Sequence, residues 1–286
     1  GPAAGPAAEE AAPFGAGSAG RPSRLARVAV EEGGAVEVGG LARSLGARAY
    51  ELRLEDALRA LATLAEGVAR RRASCGEGAD RDALLAMDAL RSAGHTIMAS
   101  VSVRIGQGDA RFAADAMKAM ADSGFGRQEY LDAALAHLLT LLRSKPGSFT
   151  TAILARIVGA LGRMQEEGGI DGGTLCVRGG ASAHHRASNE RFLAAFNARL
   201  RAALPSFLEE DFGAMHEAYL GWHAGEDVLL CALHRAAQLQ VGFAPGTEQH
   251  LPAMTCTLRC VRGRFPGLTA TLPELPRRYC ERLSSA

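Results

Sequence analysis

The chain has 286 residues, 48% of them hydrophobic and only 5% aromatic, with a formal net charge of +1. That length can fill a large core without covalent staples, and the near-neutral balance excludes a global cationic field of the kind that steers nucleic acid. Ala and Leu dominate the apolar positions while clusters of Val, Ile, Thr and Tyr are nearly absent, so the composition reads as all-α.

Lys118 and Lys145 are the sole lysines, and every other basic residue is arginine. Arginine binds phosphate bidentately and stacks on bases. The parallel abundance of Ala, Gly and Pro makes GC-rich coding the stronger reading of the arginine bias. Six cysteines (Cys75, Cys176, Cys231, Cys256, Cys260, Cys280) stand at irregular spacings and read as reduced thiols. No apolar run approaches the roughly 18 residues of a membrane span. The longest, Leu131–Leu142, is interrupted by His137. A start at Gly1 fits a removed leader or a cleavage scar. Arg21, Arg24 and Arg27 resemble a transit segment, but Glu9 and Glu10 lie upstream, which leaves targeting open.

In chain order, residues 1–20 are almost wholly Gly, Ala and Pro, and 21–49 are broken by Gly33–Gly34 and Gly39–Gly40. Residues 1–49 are therefore expected to form an extended low-complexity segment. From Tyr50 the pattern turns helical. Leu54, Leu58, Leu61 and Ala65 lie on one face, and that helix ends in Arg70–Arg72, a favourable charge for a helix C-terminus. Asp80 is placed to cap a helix through Leu84, Leu85 and Leu90.

Phe112, Ala116, Ala119, Met120 and Ser123 form a stripe closed by Gly124-Phe125-Gly126. Leu131, Leu135, Leu138, Leu139 and Leu142 form the next. Ser144–Gly147 breaks the chain, and Ser148 is expected to cap a helix carrying Phe149, Ile153, Ile157, Ala160 and Leu161. Such short connections predict antiparallel neighbours. A Gly-rich insertion over residues 166–183 precedes a stripe of Phe192, Phe196, Leu200, Leu204 and Phe207, ended or kinked by Pro205. Ser206 and Glu209 have capping-box spacing before Phe212. A last helix is expected over 226–240. Prolines at 245, 252, 266, 273 and 276 then predict an extended tail over 241–286. The expected architecture is an array of antiparallel helical hairpins, α-solenoid-like, over 50–240, between two tails.

One pattern recurs: a bulky residue, apolar positions four to eight residues on, then Gly. It reads Leu54…Gly67, Phe112…Gly124, Phe149…Gly162 and Phe212…Gly225. The step from Phe112 to Phe149 has the length of a helical-pair repeat, and the other steps are longer. The segments from Phe112 to Gly124 (FAADAMKAMADSG) and from Phe149 to Gly162 (FTTAILARIVGALG) resemble the heptatricopeptide, octotricopeptide and FAST-kinase-like repeats of mitochondria and chloroplasts. The resemblance covers residues 50–240. It implies a mitochondrial or other organellar location and either RNA binding or a place in an organellar ribosome. The copies are too irregular for a base-per-repeat code, and no C-terminal RAP-like domain is visible.

No catalytic motif emerges. Gly168–Thr174 lacks the Gly-Lys-Ser/Thr ending of a phosphate loop, and Gly106-Gln-Gly108 fails the dinucleotide fingerprint. Cys256, Cys260, Cys280 and His250 lack the spacing of a zinc site. His184-His185 reads as a solvated loop and Trp222 as a helix-end core position, with base stacking as its functional alternative. The RNA-binding candidates are Arg70, Arg71, Arg72, Arg259, Arg262, Arg264, Arg277 and Arg278. Segments with the composition of the two tails order when partners cover them. The resulting expectation is a non-enzymatic structural subunit of an organellar ribonucleoprotein such as a mitochondrial ribosome. It would contact rRNA and neighbouring proteins, with no cofactor, metal, small-molecule substrate or transmembrane segment. A free organellar RNA-binding factor and an accessory subunit of a mitochondrial membrane complex are the alternatives.

Overall fold

A computed structural model describes residue 40 and residues 44–74, 81–124, 127–177 and 183–286. It is all-α. The helices are α1 (Leu54–Ser74), α2 (Arg81–Arg104), α3 (Ala110–Ser123), α4 (Gln128–Ser144), α5 (Thr151–Glu166), α6 (Ala183–Ala203), α7 (Glu217–Trp222), α8 (Glu226–Leu239), α9 (Leu251–Arg264) and α10 (Glu274–Ser285). Among the described residues no strand forms. An isolated bridge pairs Ile170 with Val177. Asp80 and the 1–39 segment lie outside the described residues. Part of 44–49 is helical, with Leu45 and Ala49 buried.

Local chemistry explains the ends. The Asp109 carboxylate accepts from Phe112 N (2.8 Å) to start α3, and Gly124, at φ 65°, closes it with its N–H on Met120 O. Thr150, not Ser148, caps α5 by accepting from Ile153 N. Ser148 instead belongs to the 3-10 turn Pro146–Ser148. The expected box at Ser206 and Glu209 is displaced: the Asp211 carboxylate accepts from Leu208 N (3.0 Å), ahead of the 3-10 helix Glu209–Ala214. Pro205 sits in the 3-10 turn Leu204–Ser206 that ends α6.

The expected extended tail over 241–286 is corrected. Pro252 occupies the first turn of α9, Pro273 precedes α10 and Pro276 lies in its first turn. Proline is tolerated there because those N–H groups have no intrahelical partner. These three prolines mark helix starts. Both helices are packed: Met254, Leu258, Val261, Tyr279 and Leu283 are buried, and the Tyr279 hydroxyl donates to Val241 O (2.8 Å).

Packing follows chain order. α1, α3, α5, α7 and α9 pack each on the next, as do α2, α4, α6, α8 and α10. Asp115 pairs with Arg156 and Asp122 with Arg163, so α3 and α5 run in the same direction. Glu217 pairs with Arg259, while Arg264 reaches Leu220 O and Ala224 O, which gives α7 and α9 the same relation. One apolar cluster runs from Leu45 to Leu283. Phe149 is fully buried within it. Phe112 is only half-buried, because its ring folds back over Gly108 at the edge of a cleft.

Candidate functional site

The eight candidate arginines do not form one surface. Arg70 is exposed at the end of α1, beside Glu66 (3.7 Å), and the side chains of Arg71 and Arg72 lie outside the described residues. α3, α5 and α7 separate that helix end from the other candidates, which ride on α9 and α10. Arg259 pairs with Glu217 (2.7 Å), Arg262 donates to Ser284 Oγ (2.6 Å) and Arg278 pairs with Glu274. Arg264 is a latch. It donates to Leu220 O (2.9 Å) and Ala224 O (2.5 Å) and stacks on Phe265, 5.2 Å from the ring centre. Its charge sits against the Leu220 carbonyl in the last turn of α7 and the Ala224 carbonyl just beyond the helix, a favoured place for a cation. Arg277 is exposed, on the same face of α10 as Pro273 one turn earlier. The arginines expected on an extended tail are thus set on helices, several of them tied to their own chain.

A second constellation surrounds the Gly-rich segment 167–177. Asp171 accepts from Gly173 N (2.7 Å) and Thr174 N (3.1 Å), and Asn189 donates to Thr174 O and Leu175 O. The Gln165 amide meets His223 Nε2 (2.6 Å) and donates to Gly172 O (3.3 Å). Asn197 donates to His223 O and accepts from the Tyr219 hydroxyl (2.8 Å). Burial pushes the His223 pKa down to about 4; Arg264 adds repulsion, and Asp171 opposes it. The ring is neutral at physiological pH, which leaves Nε2 free to accept from Gln165. Burial likewise drives the Tyr219 pKa upward. These groups fasten the segment; they were invisible in the sequence because lone Gln and Asn residues carry no spacing signal.

Trp222, expected inside, is 64% exposed. Its indole lies across Gly172, where a Cβ would stand 2.6 Å from Nε1. His184 and His185, expected in a loop, begin α6, with His185 3.3 Å from Asp132.

No family model, curated protein or solved structure matches this chain. Its chemistry is therefore read from its own residues. Among the described residues no three His, Cys, Asp or Glu side chains gather as metal ligands. Burial raises the thiol pKa of Cys256, helped by a hydrogen bond to Glu217, and that of Cys280, each to about 11. Cys260 is raised for the same reason. Thiols held this far from ionisation are poor nucleophiles and poor ligands. Among the described residues no helix is long and apolar enough to cross a membrane.

Among the described residues, three clefts bear on a binding role. One of about 580 Å³ between α1 and α3 is lined by charges of both signs, including Glu55, Arg59, Asp115 and Lys118. Another, about 840 Å³, lies where those helices meet Met164 and Ile170. The third, about 470 Å³, opens between α8, α10 and the 3-10 turn ending α6, and it is mostly apolar.

Proposed function

We propose that this chain is a non-catalytic helical-repeat subunit, an α-solenoid-like array of antiparallel hairpins that joins larger partners within an organellar ribonucleoprotein such as a mitochondrial ribosome. The observation that carries the reading is the two-row packing, in which each helix meets its next-but-one, most also meet a chain neighbour, and same-row helices are aligned by paired charges. Such arrays expose long surfaces and work by presenting them. The resemblance of the Phe112–Gly124 and Phe149–Gly162 segments to organellar repeats supports the location, and the exposed arginines of α9 and α10 support contact with rRNA.

A protein-only assembly, such as an accessory subunit of a mitochondrial membrane complex, is the second reading. It is favoured by the arginines already engaged within the chain, Arg259, Arg264 and Arg278. Sedimentation of the tagged native protein, with and without ribonuclease, separates the two. The first reading expects a large particle that ribonuclease collapses. A ribonuclease-resistant particle transfers the proposal to the second reading, and migration as a free chain ends both.

A further inference from the structure

The cleft between α8 and α10 has walls of Pro205, Leu230, Leu272, Pro273 and Pro276, with Cys231 half-buried at its floor. Leu275, beside Pro276, is 45% exposed. Prolines give rigid walls without N–H donors, so the cleft suits an apolar side chain better than an added strand. The rim is cationic. Arg235 lines it, held by Phe207 O (3.0 Å) and Gln238 Oε1 (3.3 Å), and His234 bonds to the same glutamine. Arg277 stands one turn beyond Pro273 on the same face. Among the described residues neither Arg235 nor Arg277 has a carboxylate within ion-pair reach, and the acid nearest along the α8 stripe, Asp227, is occupied by Arg201 (3.0 Å).

We propose that this cleft docks an acidic segment of a partner protein through one buried aliphatic or aromatic side chain, its carboxylates meeting Arg235 and Arg277. Charge complementarity selects an acidic partner, and the apolar floor selects a peptide over a nucleic acid, whose phosphates would leave that floor empty. The proposal rests on the reading of the chain as a partner-joining subunit and names one surface for it. It is tested without reference to ribonuclease or to any particle, so the two can fail separately.

The probe is a fluorescein-labelled peptide of about twelve residues alternating Asp or Glu with Leu. A counterpart with Lys for each acid and an oligouridylate of similar length accompany it. Anisotropy titrations of the full chain are expected to show micromolar binding of the acidic peptide alone, weakened about tenfold by Arg277→Gln and by Cys231→Trp, which fills the floor. On the unmodified protein, where no variant can misfold, the acidic peptide is expected to slow N-ethylmaleimide labelling of Cys231 about tenfold, read by peptide mass spectrometry, without slowing labelling at Cys256. Absence of binding overturns the proposal. So does binding indifferent to both substitutions, unslowed labelling of Cys231, or equal protection by oligouridylate.

Discussion

Gly162 shows how one hydrogen atom can decide the sign of a substitution. Alanine inside a helix normally gains about 1 kcal/mol over glycine. Here an added Cβ would enter the His216 ring, which packs across α5 and reaches Glu166 (3.1 Å). Gly162→Ala is expected to lower the urea-derived stability by roughly 1–3 kcal/mol. Gly147→Ala, facing open space, should change it by less than about 0.5 kcal/mol.

His223 gives a pH dependence with a definite sign. Its folded pKa is about 4 against an ordinary 6.5, so below 6.5 the unfolded chain takes up a proton that the native chain refuses. The native state therefore loses stability as pH falls from 6.5 towards 4, by about 2 kcal/mol at pH 5. Urea titrations at pH 7 and pH 5 should show that loss in the native sequence and a much smaller one in His223→Asn. Equal losses in both would assign the effect to other groups.

At the scale of elements, legibility followed periodicity. The stripes of α1, α3, α4 and α5 were readable because Leu, Ala and Phe recur on one helical face. The α9–α10 end is hard to read from its prolines because proline breaks a helix only beyond its first turn. At Pro252 and Pro276 it occupies first turns, where no helix bond is lost. The exposure of Trp222 was hidden because the glycine it covers lies far away in sequence, in the segment fixed by Asn189 and Gln165. The candidate arginines were legible as charges and illegible as partners, since Glu217 and the carbonyls at Leu220 and Ala224 are tertiary neighbours.

Two measurements belong to this scale. Arg264→Gln removes the latch between α7 and α9 and leaves the Leu220 and Ala224 carbonyls without their cation. It is expected to cost about 1–3 kcal/mol by chemical denaturation, where an idle surface arginine would cost nothing measurable. A double-mutant cycle of Asp115→Ala with Arg156→Ala should return a coupling of about 0.2–1 kcal/mol, because the pair is about one-third exposed and solvent screens it. A coupling of zero would show that packing alone sets the alignment of α3 and α5.

At the scale of the whole molecule, stability is expected to be local. Among the described residues, α1 and α2 meet α3 and α4 and make no principal contact with α9 or α10. Leu61 is fully buried. Leu61→Ala should therefore accelerate amide hydrogen exchange through α1–α4 while leaving α9 and α10 nearly unchanged. Uniform acceleration along the chain would mean one cooperative unit.

The same chain-order packing bears on how the protein is made. Every principal contact joins helices adjacent or next-but-one in sequence, so no helix waits for a distant partner before it can bury its apolar face. As the polypeptide leaves the ribosome at about 5–20 residues per second, α1 to α3 can close on one another while α9 and α10 are still untranslated. Synthesis and folding can advance together from the first helices to the last. Pulse-chase proteolysis of stalled nascent chains should find protection spreading in that order.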